Sequence, residues 1–124
     1  MERATEVYAF LTCLIVGLSH VVQRRAWVET FAALHRMGRP GAFANGAISL
    51  ATGSVFAATH PVWSGPETVL TALGWLLVAK GAGCFLAPDA ALRSMARGTE
   101  RGFAAGGTAL LAVSAVLAWV LWRG

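Results

Sequence analysis

Four apolar stretches of 16 to 20 residues constrain the fold of this sequence more than any other feature. Apolar residues make up 56% of its 124 residues and charged residues only 13%, whereas roughly a quarter of the residues in ordinary soluble domains are charged. A soluble domain this small cannot bury so much apolar surface within itself. A helix of about 20 apolar residues does match the hydrocarbon core of a bilayer. We therefore predict four membrane spans, at 7–22, 42–59, 68–87 and 103–122.

The two halves of the chain align with each other, which predicts an internal duplication. Gly17 matches Gly81, and after a four-residue deletion the segment 43–46 matches 103–106. Because two spans separate the copies, both helical hairpins have the same orientation and form a parallel repeat. The expected fold is a single all-α domain, a membrane four-helix bundle with short connector helices. The predicted repeats cover about 5–60 and about 68–123.

Two short connectors, at 24–41 and 88–102, carry most of the basic residues. Apolar residues such as Trp27 recur at helical spacing in the first, and Asp89 is expected to cap a helix in the second, so both are predicted to be amphipathic helices in the headgroup region. By the positive-inside rule the connectors face the cytoplasm and both termini lie outside. Seven connector arginines are predicted to contact anionic lipid headgroups: Arg24, Arg25, Arg36, Arg39, Arg93, Arg97 and Arg101.

Gly17, the segment Arg24-Arg25-Ala26-Trp27, Gly46 and Gly53 form a pattern of a glycine-bearing span, a basic connector with tryptophan and a second span with spaced glycines. In this pattern each half resembles a family of very small bacterial two-span membrane hairpins of unassigned function. The second half departs from it, with Ala91 where the first half has the tryptophan. The resemblance implies a bacterial inner membrane, and it supplies no active-site residue.

Lys80 is the most informative single residue, because an ammonium group in a membrane span costs roughly 3 kcal/mol and is a candidate for function. Its position near a span end also allows its stem to snorkel to the interface. With His20, Gln23, Asn45 and Cys84 it could form a polar cluster that binds an anion or an acidic headgroup, or relays protons. The simpler alternative is that His20 and Asn45 hydrogen-bond between helices and close the bundle.

Rows of small residues on spans two and four are typical of helices that pack closely in lipid. Together they exceed what one compact bundle needs, which favours a homo-oligomer or a larger membrane complex. The predicted helix-packing residues are Ser49, Gly53, Ala57, Ala105, Thr108 and Ala112.

No residue pattern indicates catalysis, a cofactor or a metal. Ser19 and His20 are adjacent on a helix and cannot form a nucleophile–base pair. The histidines have no carboxylate or cysteine at ligand spacing, and Cys13 and Cys84 lie at depths too different for a disulfide. The basic residues flank apolar stretches instead of forming a basic helix, which argues against nucleic acid as a partner.

Three functions remain open on the sequence alone. The first is a non-catalytic membrane protein that acts through helix packing, as a homo-oligomer or as an accessory subunit of a membrane complex. The second is a small oligomeric channel or transporter for an anion or protons, lined by Lys80, His20 and Asn45. The third is binding of a lipid or hydrophobic ligand between the hairpins, with arginines holding the headgroup.

Overall fold

A computed structural model describes residues 2–123, which form six helices and no strand. The all-α prediction is confirmed. Four of the helices are long and apolar enough to cross a bilayer, and they indicate a multi-pass membrane protein. They begin at or before the predicted spans because helical hydrogen bonding continues past the apolar boundary. The helices are α1 (Glu2–Val22), α2 (Arg24–Arg36), α3 (Arg39–Thr59), α4 (Thr68–Leu86), α5 (Pro88–Ala96) and α6 (Glu100–Arg123).

Local sequence explains where the connector helices begin and end. The backbone at Gly38 has a φ of 74°, which separates α2 from α3 and favours glycine. Pro88 opens α5, at a position where its missing N–H costs nothing. The predicted cap by Asp89 is wrong: Ala87 precedes α5, and Asp89 lies in its first turn. There its carboxylate accepts a hydrogen bond from Arg39 Nε at 3.2 Å.

The four spans pack as two close pairs, α1 with α6 and α3 with α4. In the first pair a Cβ added to Gly17 would lie 2.9 Å from the carbonyl oxygen of Gly107. In the second, a Cβ on Gly53 would lie 2.7 Å from the carbonyl oxygen of Gly74. Glycine at these points lets the backbones approach closely. Each pair takes one span from each predicted repeat, and the duplication itself stays a prediction.

The two helix pairs contact each other at both ends of the molecule. We call the end with segment 60–67 the turn end, and the end with α2 and α5 the connector end. At the connector end His35 Nδ1–H donates to the Leu92 carbonyl at 3.1 Å, which joins the two connector helices. The core nearer the turn end takes one buried residue from each span: Ala9, Phe56, Leu70 and Leu117.

The outward faces of the spans carry large apolar side chains, as a lipid surrounding requires. Ile15 on α1, Ile48 on α3, Leu76 on α4 and Trp119 on α6 are all more than half exposed. Transfer of such side chains from water to an apolar medium is favourable by roughly 1.5–3 kcal/mol each. The exposed surface of these helices therefore suits hydrocarbon as its solvent.

The two predicted rows of small residues lie in different surroundings. On α3, Ser49 and Gly53 are buried and Ala57 is half-buried, so this row serves packing inside the chain. On α6 the predicted row is exposed, and the helix buries a different set of residues. The small residues predicted on α6 do not pack within this chain, and their packing against a second protein chain stays a prediction. The exposed residues are Ala105, Thr108 and Ala112, and the buried ones are Gly107, Ser114, Leu117 and Val120.

Candidate functional site

A cavity of about 660 Å³ lies at the connector end, between α4 and α5 on one side and the start of α6 on the other. Phe31, Met95 and Phe103 give it apolar walls. Lys80 and Asn45 are its polar residues from the spans, and the second connector adds further polar groups. Its volume falls in the range of roughly 300–1,000 Å³ that is typical of small-molecule sites. The polar lining from the second connector is Ser94, Arg97 and Thr99.

Lys80 brings an unpaired positive charge to this cavity. It lies six residues before the end of α4 at Leu86, about 9 Å along the helix axis. Its Nζ is 5.8 Å from the centroid of the Phe31 ring, at the outer range of a cation–π contact. Among residues 2–123 no carboxylate forms an ion pair with it. A ligand with a negative charge would supply the missing partner.

Asn45 brings an unpartnered amide to the same cavity. The residue is 8% exposed, so it is more than nine-tenths buried, and it lines the cavity. Its side chain has two donor hydrogens and an acceptor oxygen, yet it makes no hydrogen bond to any other described residue. No buried side-chain nitrogen or oxygen among the described residues lacks a hydrogen-bond partner, so the unpaired amide atoms of Asn45 are accessible from the cavity. An unpaired amide at a cavity wall is placed to bond a ligand.

Three of the five residues of the predicted polar cluster come together here: Asn45, Lys80 and Cys84. His20 and Gln23 do not line the cavity. His20 Nδ1–H donates to the carbonyl of Val16, one turn earlier in its own helix, at 2.8 Å. Gln23 is exposed at the junction of α1 and α2. Among residues 2–123 neither His20 nor Asn45 makes a side-chain hydrogen bond to another helix, in contrast to the simpler alternative.

An aromatic cluster forms the wall on the side of His20. The rings of His20 and Trp27 stack with centroids 4.0 Å apart, and Phe31 and Phe103 meet edge to face at 5.0 Å. Trp27 Nε1–H donates to Ser19 Oγ at 2.9 Å, which fixes the indole against α1. These contacts hold α2 against α1 and α6 and place Phe31 and Phe103 together in the apolar wall of the cavity.

The cavity lies within a positively charged surface. The seven connector arginines are all exposed, and Arg97 reaches the cavity lining. Two of them form exposed ion pairs, Arg39 with Asp89 and Arg25 with Glu29. Hydrogen bonding to Arg39, reinforced by its charge, holds the pKa of the Asp89 carboxyl below its usual value. The remaining charge favours the approach of anions.

A buried polar network at the turn end was missed by the sequence analysis. His60 Nε2 lies 2.8 Å from Glu6 Oε2, and His60 Nδ1 lies 2.9 Å from Thr71 Oγ1. His60 and Thr71 are fully buried, and Glu6 is 8% exposed. The only signal in the sequence was that Glu6 precedes the first predicted span and His60 follows the second, which places both at one membrane face.

Within residues 2–123 no three His, Cys, Asp or Glu side chains converge in a way that could hold a metal ion. Cys13 and Cys84 are both buried free thiols.

Comparison with known proteins gave no match among protein-family models, curated proteins or solved structures.

Proposed function

We propose that this chain is a small, non-catalytic, four-span membrane protein that binds an anionic amphiphile in its connector-end cavity. The observation that carries the proposal is the pairing of two unsatisfied groups in one cavity. Among the described residues Lys80 has no anionic partner, and the amide of Asn45, which is accessible from the cavity, has no hydrogen-bond partner. A carboxylate or phosphate oxygen can accept a hydrogen bond from both.

The apolar walls indicate that the ligand is amphiphilic. An anionic headgroup would sit against Lys80 and Asn45, and its first methylene groups would contact Phe31, Met95 and Phe103. Burial of each methylene contributes about 0.8 kcal/mol. A small inorganic anion would satisfy the polar groups but leave the apolar walls uncovered, so a lipid or another anionic amphiphile fits the whole cavity.

The proposed orientation places this cavity in the inner leaflet of a bacterial cytoplasmic membrane. Seven arginines belong to the connectors, whereas only Arg3 and Arg123 lie at the turn end. The positive-inside rule then puts α2 and α5 on the cytoplasmic side and both termini outside. The inner leaflet is rich in anionic lipids that attract basic segments, and the exposed arginines would concentrate the ligand near the cavity.

Binding accounts for the cavity better than conduction through a single chain does. The oligomeric route predicted from the sequence was to be lined by Lys80, His20 and Asn45, but within one chain the His20 ring stacks on Trp27 and does not line the cavity with the other two. Toward the turn end the buried core of Ala9, Phe56 and Leu70 closes the space between the spans. A cavity open at one end and closed at the other suits a ligand that enters and leaves from the same side.

Native mass spectrometry of the detergent-purified protein tests the proposal directly. Phosphatidylglycerol should bind, phosphatidylcholine should bind weakly, and inorganic phosphate should not compete. Lys80→Met should lower phosphatidylglycerol affinity roughly ten- to a hundredfold, because hydrogen bonds to charged groups contribute about 1.5–3 kcal/mol. Arg25→Met, which removes an exposed charge outside the cavity, is the matched control and should bind nearly as the wild type does.

Asn45→Ala gives a second test that separates binding from folding. Because Asn45 makes no hydrogen bond within the described chain, its loss should leave the free energy of unfolding nearly unchanged while weakening lipid binding.

Protection of Lys80 from acylation gives a third test. Lys80 is the only lysine in the sequence, so peptide mapping shows directly whether bound phosphatidylglycerol protects it. Equal binding by wild type and Lys80→Met, with no protection, would exclude this cavity as the site.

Assembly with a second copy is a second candidate function, favoured by the outer face of α6. Ala105, Thr108 and Ala112 are exposed there, and a Cβ added to Gly106 would meet no atom within 4 Å. Such a face permits close approach of another helix. Ala112→Leu should then reduce the oligomer mass measured in detergent. An unchanged mass, or a monomeric wild type, would remove this candidate.

A further inference from the structure

The buried Glu6–His60–Thr71 network joins the two helix pairs at the turn end. Glu6 belongs to α1, in the α1–α6 pair, whereas Thr71 belongs to α4 and His60 directly follows α3. A second bond parallels it, from Thr5 Oγ1 to Thr59 Oγ1 at 2.8 Å. The network is remote from the connector-end cavity, and the proposed binding function does not use it.

The hydroxyl of Thr71 fixes where the imidazole protons lie. Its oxygen is 2.6 Å from the Val62 carbonyl oxygen and 2.8 Å from the His60 carbonyl oxygen. Both carbonyls are acceptors only, so the single hydroxyl proton must be donated to them. Thr71 Oγ1 therefore accepts the third contact, and His60 Nδ1 is its donor. This assignment follows from the hydrogen-bond network.

With Nδ1 protonated, one further proton lies between His60 Nε2 and Glu6 Oε2. Either a neutral imidazole accepts from a carboxylic acid, or an imidazolium donates to a carboxylate. The two forms contain the same number of protons and carry no net charge. Removing the shared proton leaves a buried negative charge and two lone pairs facing each other across 2.8 Å. Adding another proton leaves a buried net positive charge. Both changes are costly in a low-dielectric site.

We propose that Glu6, His60 and Thr71 form a proton-loaded clasp, which holds the two helix pairs together at the turn end and releases them when the Glu6–His60 pair gains or loses one proton. The clasp is a pH-sensitive device facing the side of the membrane opposite the connectors. It acts on the relative position of the pairs, not on the ligand groups of the cavity.

The other charged groups at the turn end are more exposed to solvent than Glu6 and His60. Among the described residues they are Glu2 and Arg3 on α1, Glu67 before α4 and Arg123 on α6; α3 contributes no charged group at this end. Arg123 pairs with Glu67 at 2.8 Å, in a partly exposed contact that also joins the two pairs. Arg3 reaches the Leu121 carbonyl at 3.5 Å. The Glu67–Arg123 pair is therefore a natural control for the clasp.

Distance measurements between spin labels test the proposal in the full chain. Labels at exposed Val55 and Ala115 report on the separation of the pairs, in protein whose Cys13 and Cys84 are replaced by alanine. At neutral pH we expect one short distance, and at acidic and alkaline pH an added longer component. Glu6→Gln should abolish the alkaline component, because its amide cannot lose a proton there. Glu67→Gln should retain it.

The ring ¹⁵N resonances of His60 in the wild-type protein give a second measurement that needs no substitution in the clasp. Nδ1 should bear a proton in the closed form, and a change at Nε2 should coincide with the longer label distance. A distance that never changes with pH would overturn the proposal, as would an alkaline opening that persists in Glu6→Gln or a His60 ring that bears no proton at Nδ1.

Discussion

Gly81 and Gly83 on α4 provide a matched test of the close packing between α3 and α4. A Cβ added to Gly81 would lie 2.6 Å from Leu50 Cβ and 2.7 Å from Leu50 N, whereas a Cβ added to Gly83 would meet nothing within 4 Å. Ordinary carbon contacts begin near 3.4 Å. Gly81→Ala therefore requires α3 and α4 to move apart by roughly 0.8 Å at this point, taken as the difference between 3.4 and 2.6 Å.

The size of the effect follows from this overlap. Inserting a methyl group into a close-packed contact typically costs about 1–3 kcal/mol. Replacing glycine by alanine within a helix also gains up to about 1 kcal/mol in intrinsic propensity, but that gain is common to both variants. The difference in unfolding free energy between Gly81→Ala and Gly83→Ala should therefore be roughly 1–3 kcal/mol, with Gly81→Ala the less stable.

Reversible unfolding by sodium dodecyl sulfate in mixed micelles, followed by tryptophan fluorescence or circular dichroism, measures this difference. Gly83→Ala should unfold at the wild-type detergent fraction or later. If the two variants unfold together, α3 and α4 do not pack through Gly81, and the pairing of spans described above is wrong.

Two further predictions concern the polar contacts. Thr71→Val removes the acceptor of the buried His60 Nδ1–H and should destabilise the chain by about 1–3 kcal/mol. Thr30→Val, at an exposed hydroxyl bonded to its own helix, should change little, and equal unfolding curves for the two variants would contradict this. The pKa of Asp89 in the folded chain lies below its usual 3.8. The ion pair with Arg39 therefore stabilises the fold fully above pH 3.8, and this stabilisation is lost as the pH falls through the pKa of the folded form. The distance between labels on α3 and α5 should then increase in acid, and in Asp89→Asn at neutral pH. No change in either case would show that the pair does not hold α5.

Hydropathy was sufficient to predict the four spans, because apolar stretches of that length have few other folds available. It could not predict which spans pair. The lipid-facing and the packed surfaces of a membrane helix are both apolar, so side-chain hydropathy differs little from one face of the helix to another. The close contact of Gly17 with Gly107 depends on how each helix is rotated, and spacing along the chain does not specify that rotation.

The same limit explains the outcome at the polar residues. Position along the spans placed Asn45, Lys80 and Cys84 in the connector-end half of the bundle, and the structure brings them to one cavity. His20 lies at a similar depth, but its ring stacks on Trp27 outside the cavity. The sequence predicted how far along its span each polar residue lies, but not which side of the helix its side chain occupies.

The Glu6–His60 contact could not be predicted from the sequence. It is a side-chain hydrogen bond between two residues that are 54 positions apart and lie at the ends of different spans. Polar residues at span ends are usually solvated, and nothing in the local sequence distinguishes a buried pair from two solvated residues. The Thr71 hydroxyl that orients His60 lies within an apolar helix, where threonine is common. Long-range side-chain pairing of this kind requires the three-dimensional arrangement.

Both proposals require that α2 and α5 lie on one side of a bilayer and the 60–67 turn on the other. Single cysteines at exposed Ala33, Ala96 and Ser64, in protein lacking Cys13 and Cys84, test this in intact bacterial cells with a membrane-impermeant maleimide. We expect labelling at Ser64 from outside, and labelling at Ala33 and Ala96 only after the membrane is permeabilised. Labelling of all three positions from the same side would contradict the account.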